Sequence, residues 1–110
     1  MNTSKNTKQD HFEVLRKIEK KPEVTQRELA SELGFSLGKL NYCLRELRYK
    51  GLVKIKNFKK NKNKSSYMYA LTTAGLITKK RLIVSFMKRK MKEYDELKAE
   101  MNNQKKIYNE

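Results

Sequence analysis

Two groupings of side chains in this 110-residue chain are equipped for chemistry, and both offer hydrogen bonds and charge rather than covalent catalysis. The first is Lys39, Asn41, Tyr42 and Arg45, a cluster of donors and acceptors. The Arg45 guanidinium presents a planar fork of donors, and the Asn41 amide presents a donor and an acceptor side by side. The second is a charge asymmetry. Between Glu46 and Glu93 no residue is acidic and fifteen are basic, running from Arg48 to Lys92. Outside that stretch twelve basic residues (27 − 15) meet twelve acidic ones, so the whole formal excess of +15 falls in one segment. A surface made basic only for solubility has no need to exclude acids this thoroughly. With a pI near 10.0, the pattern asks for a polyanionic partner, either nucleic acid or an anionic membrane surface.

Other reactive residues are sparse. The single histidine, His11, has no cysteine or acidic cluster at metal-ligand spacing and is read as a surface residue at a helix start. Cys43 falls on an apolar helix face, which favours packing over redox sensing. Nucleophile triads, phosphate-binding glycine loops and paired carboxylates are missing from the pattern, so no enzyme, cofactor or metal is expected. No stretch is apolar for long enough to cross a bilayer, and Met1–Asp10 lacks a signal peptide's apolar core. One cysteine cannot form an internal disulfide, which fits a reducing compartment, and the expected location is cytoplasmic and nucleoid-associated.

The elements that must position these residues follow from periodicity. Residues 1–9 read as a flexible arm. From Asp10 to Lys21, Phe12, Leu15 and Ile18 recur at helical spacing until Pro22 ends the run. Thr25-Gln26-Arg27-Glu28 is a capping box opening a second helix, which stops at Gly34. Ser36 caps a third helix of about residues 36–50, closed by Gly51. Leu40, Cys43, Leu44 and Leu47 line its inner face, with Lys39, Tyr42, Arg45 and Tyr49 opposite, Gly38 among them and Asn41 at the flank. Val53 and Ile55, then Tyr67, Tyr69 and Leu71, alternate as strands around the tip Lys59-Lys60-Asn61-Lys62-Asn63-Lys64. Tyr67 and Tyr69 are expected to pack this hairpin onto the core.

Three helices, two of them joined by a tight turn, followed by a basic hairpin make a winged helix-turn-helix. The fold class is therefore mainly α with a small β-hairpin (α+β), with the winged domain at 10–75. Residues 76–110 form a C-terminal coiled-coil dimerisation helix, in which Ile83, Met87, Tyr94, Leu97, Met101 and Tyr108 follow heptad spacing and Lys90 and Gln104 occupy two seam positions. In such a fold the third helix enters the DNA major groove. Lys39, Asn41, Tyr42 and Arg45 become base-reading candidates, Arg45 suited to guanine and Asn41 to adenine. Ser36, Gly38, Lys56, Lys59, Lys60, Lys62 and Lys64 become backbone or minor-groove contacts of the helix start and of the wing, about 53–71. Gly38 matters by lacking a side chain, which lets the helix approach closely. Thr25, Gln26, Lys79, Lys80 and Arg81 are candidates for flanking phosphates.

The run from Val24-Thr25-Gln26-Arg27-Glu28-Leu29-Ala30 to Gly51-Leu52-Val53 resembles the winged-helix core of MarR-type transcriptional regulators. Leu71-Thr72-Thr73-Ala74-Gly75 resembles the step by which that family leaves its wing. Gly38-Lys39-Leu40-Asn41-Tyr42-Cys43-Leu44, Asn57-Phe58 and Glu93-Tyr94 with Leu97 are similar to the subgroup associated with exopolysaccharide gene clusters. The likeness spans about residues 12–100. It implies a dimeric, sequence-specific regulator on a pseudo-palindromic operator, with any small-molecule effector unknown. The wing departs from the family in having Lys62-Asn63-Lys64 where an Asp-Arg pair is common. Competing readings are an architectural, sequence-indifferent DNA binder and a winged-helix protein–protein adaptor. RNA is disfavoured, since no aromatic-lined sheet motif is evident.

Overall fold

A computed structural model gives the fold; it describes residues 3–56 and 67–109, with side chains from 7 to 56 and 67 to 105. The expected wing tip, with Lys59, Lys60, Lys62 and Lys64, lies outside the described residues, as does the side chain of Tyr108. The order is α1 (Thr3–Lys20), α2 (Gln26–Leu33), α3 (Leu37–Tyr49), β1 (Val53–Ile55), β2 (Tyr69–Leu71) and α4 (Thr73–Asn109). Two compact units result, Met1–Lys79 and Lys80–Glu110, dividing a few residues later than the 75/76 boundary read from the sequence.

Helix α1 starts at Thr3, so most of the stretch read as a flexible arm is helical backbone. No glycine or proline interrupts residues 3–10. Once the buried Phe12, Val14, Leu15 and Ile18 hold the later turns, extending the helix backwards needs only propagation, not a new nucleus. Helix α2 begins with Thr25 as its N-cap: the hydroxyl accepts the Glu28 N–H at 3.2 Å and donates to the Glu28 carboxylate at 3.0 Å. Gly34 ends it at φ 70°, a left-handed conformation that a Cβ disfavours. The Ser36 hydroxyl then accepts the Lys39 N–H at 3.1 Å to start α3.

The core sits where α1, α2 and α3 meet, with α1 also against β2. Leu15, Ile18, Leu29, Leu40, Leu44 and Leu47 are all fully buried there, each contributing roughly 1.5–3 kcal/mol relative to exposure. Cys43 is buried among them, and desolvation pushes its thiol up to about 11, so packing is its role. His11 departs from its surface reading. It is 6% exposed, because residues 11, 15 and 18 share one helical face. Its Nε2 has no hydrogen-bond partner among the described residues.

β1 and β2 pair antiparallel, Val53 opposite Leu71 and Ile55 opposite Tyr69. Just before β2 the chain also bridges to the helix-turn-helix: Met68 pairs with Thr25, and the Gln26 N–H donates to the Tyr67 carbonyl at 2.9 Å. The hairpin's exit is clamped by Thr72. Its hydroxyl donates to the Gly51 carbonyl at 2.6 Å and accepts the Gly75 N–H at 3.0 Å, while its own N–H donates to Leu52 at 3.0 Å. A Cβ at Gly75 would collide with the Leu52 carbonyl oxygen.

Two outcomes follow. Gly75→Ala is expected to destabilise the domain by about 1–3 kcal/mol, read as a lower urea midpoint, because backbone and not a flexible side chain must yield. Burial, then the Lys50 charge, holds the His11 pKa below 6.5, against smaller upward pulls from Glu46 and Asp10. The unfolded chain therefore takes up this proton at higher pH than the folded one, so stability rises with pH. The contribution is complete above 6.5 and is lost as pH falls toward the folded-state value. Urea midpoints measured from about pH 7.5 to about pH 5 should fall in wild type and fall less in His11→Phe; equal slopes would contradict a buried neutral imidazole.

Candidate nucleic-acid interface

With Leu40, Cys43, Leu44 and Leu47 turned inward, the 3.6-residue repeat leaves Gly38, Tyr42, Arg45 and Tyr49 on the outward face of α3. Tyr42 is 53% exposed, and its hydroxyl donates to the Glu46 carboxylate one turn on, which lowers the Glu46 pKa and raises that of Tyr42. The ring is thereby steered along the helix. Among the described residues, its own helix backbone aside, nothing lies within 4 Å of the Cβ position at Gly38, and its φ is not positive. The fold itself has no requirement for glycine there, although a helical glycine costs roughly 0.5–1 kcal/mol relative to alanine.

The flank of α3 nearer the hairpin carries Asn41, Arg45 and Arg48, which share a cleft of about 270 Å³ with Tyr67 and Tyr69. Neither arginine has an acidic partner among the described residues. Arg48 was not among the sequence candidates. The signal for it was present, since Asn41, Arg45 and Arg48 stand at i, i+4 and i+7 and so form one stripe. Tyr69 is buried and its hydroxyl donates to the Gln26 Oε1 at 3.2 Å, which fixes the cleft's floor and bears out its expected packing role. Tyr67 is half-buried beside it.

Several candidates are placed differently from expectation. Lys39 lies toward α1 rather than outward. Its ammonium is 3.4 Å from the Asp10 carboxylate and 4.1 Å from the Phe35 ring centroid, so both attractions draw it off the outward face. Gln26, expected near a flanking phosphate, is 3% exposed and serves as the buried amide under Tyr69. The hydroxyls of Thr25 and Ser36 are used as helix caps, as expected of both. Lys56 donates to the Pro22 carbonyl at 3.4 Å and remains exposed. Lys79 is ion-paired with Glu19 of α1, whereas Lys80 and Arg81 are exposed. On α4, Met87, Tyr94, Leu97 and Met101 are exposed as a seam requires, but Ile83 is half-buried. Val84 and Met91, outside the expected seam, are exposed beside Met87 and Tyr94.

Residues 11–54 match the family model described as winged helix-turn-helix DNA-binding. No curated protein sequence matches the chain. Among solved structures, the PcaV transcriptional regulator from Streptomyces coelicolor, in complex with its natural ligand, is similar at 20% identity and TM-score 0.64 over 72% of this chain and 55% of its own. Apo MarR from E. coli is 30% identical at TM-score 0.56, over 66% of this chain and 52% of its own. Streptococcus pneumoniae FabT, in complex with DNA, is 24% identical at TM-score 0.58, over 76% of this chain and 57% of its own. The chain thus spans little more than half the length of each of these structures. It carries a winged helix-turn-helix domain in the fold they share.

Proposed function

We propose that this chain is a non-enzymatic, sequence-specific regulator of transcription that binds double-stranded DNA as a homodimer, with α3 in the major groove. The observation that carries the reading is the exposed side of α3: Arg45 outward and Arg48 toward the hairpin, neither with an acidic partner among the described residues, an amide at their flank, and a glycine whose Cβ position is open. Arg45 and Asn41 are the base readers, by bidentate hydrogen bonds to guanine and adenine. Tyr42 adds an aromatic edge beside them. Lys39 is given the lesser part of a phosphate contact, reached by leaving Asp10. The wing lysines Lys59, Lys60, Lys62 and Lys64, with Lys56, Lys80 and Arg81, supply affinity through the backbone. The likeness to FabT, whose structure holds DNA, supports the docking mode. The Gly38–Leu44 run is the ground for placing the chain with the exopolysaccharide-associated subgroup. A site in the nucleoid follows from the same reading.

Binding to a selected operator against random DNA tests this. A specificity ratio of roughly 10³ or more is expected; a ratio near one would make the protein architectural instead. Arg45→Ala should relax one base position at a cost of about 1–3 kcal/mol, while replacing the four wing-tip lysines should flatten the salt dependence without altering base preference. Gly38→Ala separates folding from binding. It should raise thermal stability by about 0.5–1 kcal/mol and weaken operator affinity, since the new methyl stands between helix and groove. Weak binding with no salt slope in wild type would favour the adaptor reading.

A further inference from the structure

We propose that α4 pairs with α4 of a second copy in the antiparallel direction, centred between Lys92 and Glu93. The inference rests on the homodimer reading and adds to it a direction and a register.

Val84, Met87, Met91, Tyr94 and Met101 are all exposed, and with Lys98 they follow an unbroken 3-4 spacing. Five large apolar side chains on one face of a solvent-exposed helix need a cover. Charge specifies which cover. The five residues before the midpoint, Lys88 to Lys92, hold four cations, and the five after it, Glu93 to Leu97, hold three acids. A parallel, in-register pair sets Lys88, Arg89, Lys90 and Lys92 beside their own copies and places Lys98 against Lys98 in the seam. An antiparallel pair lays the basic half on the acidic half of the second copy and the acidic half on its basic half.

One register satisfies the seam and the charges together. It places Met91 opposite Tyr94 at the centre, Val84 opposite Met101, and the aliphatic stem of Lys98 across Met87. On the flank, Lys88 meets Asp95 of the second copy, and the two-fold axis repeats the pair. Lys88, Met91 and Asp95 line one shallow groove of α4, so apolar and charged parts of that contact are contiguous. Lys90 is already held by Glu93 of its own helix at 3.6 Å and is not needed across the pair.

Full-length protein carrying Cys43→Ser, to remove the native thiol, supplies the test. Sedimentation comes first: a monomer would remove the homodimer reading and this proposal with it. Given a dimer, an oxidised mixture of Val84→Cys and Met101→Cys chains should cross-link, and neither variant should do so alone. In the antiparallel register two copies of residue 101 stand about 25 Å apart along the axis, far beyond the ~7 Å Cα separation a disulfide spans. Self-cross-linking by Met101→Cys would overturn the direction while leaving the dimer intact, and no cross-link in the mixture would overturn the register. Lys88→Glu should weaken dimerisation severalfold, and adding Asp95→Lys to the same chain should restore it. Failure of that rescue also counts against the pairing, since a parallel pair does not bring these two positions together.

Discussion

The contact on which the rest depends is the seating of one helical stripe, Leu40, Cys43, Leu44 and Leu47, against α1 and α2. Because these positions are buried, the rotation of α3 about its own axis is no longer free. Everything at the opposite side of the helix is set by that rotation: Gly38, Tyr42 and Arg45 outward, Asn41 and Arg48 toward the hairpin, Lys39 and Glu46 toward α1. A polar substitution at Leu40 or Leu44 would disturb the outward face without touching it.

Electrostatics refine what packing sets. Two cations that composition counts equally, Lys39 and Arg45, have different surroundings. Lys39 is drawn to Asp10 and to the Phe35 ring, whereas Arg45 has no acidic partner among the described residues. Lys79 and Lys80 diverge in the same way, since Glu19 takes the first and leaves the second in solvent. An exposed pair of this kind contributes at most about 1 kcal/mol, so it biases a side chain's direction more than it stabilises the fold. The cations are thus unevenly available: acids of α1 hold Lys39 and Lys79, and Glu93 of α4 holds Lys90.

The hairpin is tied down at its base by small polar bonds. Gln26 anchors Tyr69 from beneath, its N–H anchors Tyr67, and Thr72 joins the start of β1 to the start of α4. A two-stranded ribbon alone is marginal in water, and these bonds replace the missing third strand. They also explain why Gly75 cannot carry a side chain: α4 leaves the hairpin in contact with the Leu52 backbone.

What the chain reveals without coordinates is whatever local rules control. Thr25 and Ser36 as caps, Gly34 and Gly51 as stops, the buried stripe of α3 and the change of period after Gly51 are legible because each depends on neighbours within a turn. The charge asymmetry that motivates a polyanionic partner is equally a property of order along the chain. Tertiary structure decided the partners. That Lys39 turns to Asp10, that Gln26 is buried under Tyr69, and that His11 packs inward depend on which elements meet across tens of residues. Arg48 joined the site, and Val84 and Met91 the exposed face of α4, for a related reason. Spacing alone allows several adjacent stripes on a helix; on α3 the burial of Leu40, Cys43, Leu44 and Leu47 selects the one turned outward, whereas on α4 Val84 and Met91 are exposed together with Leu97.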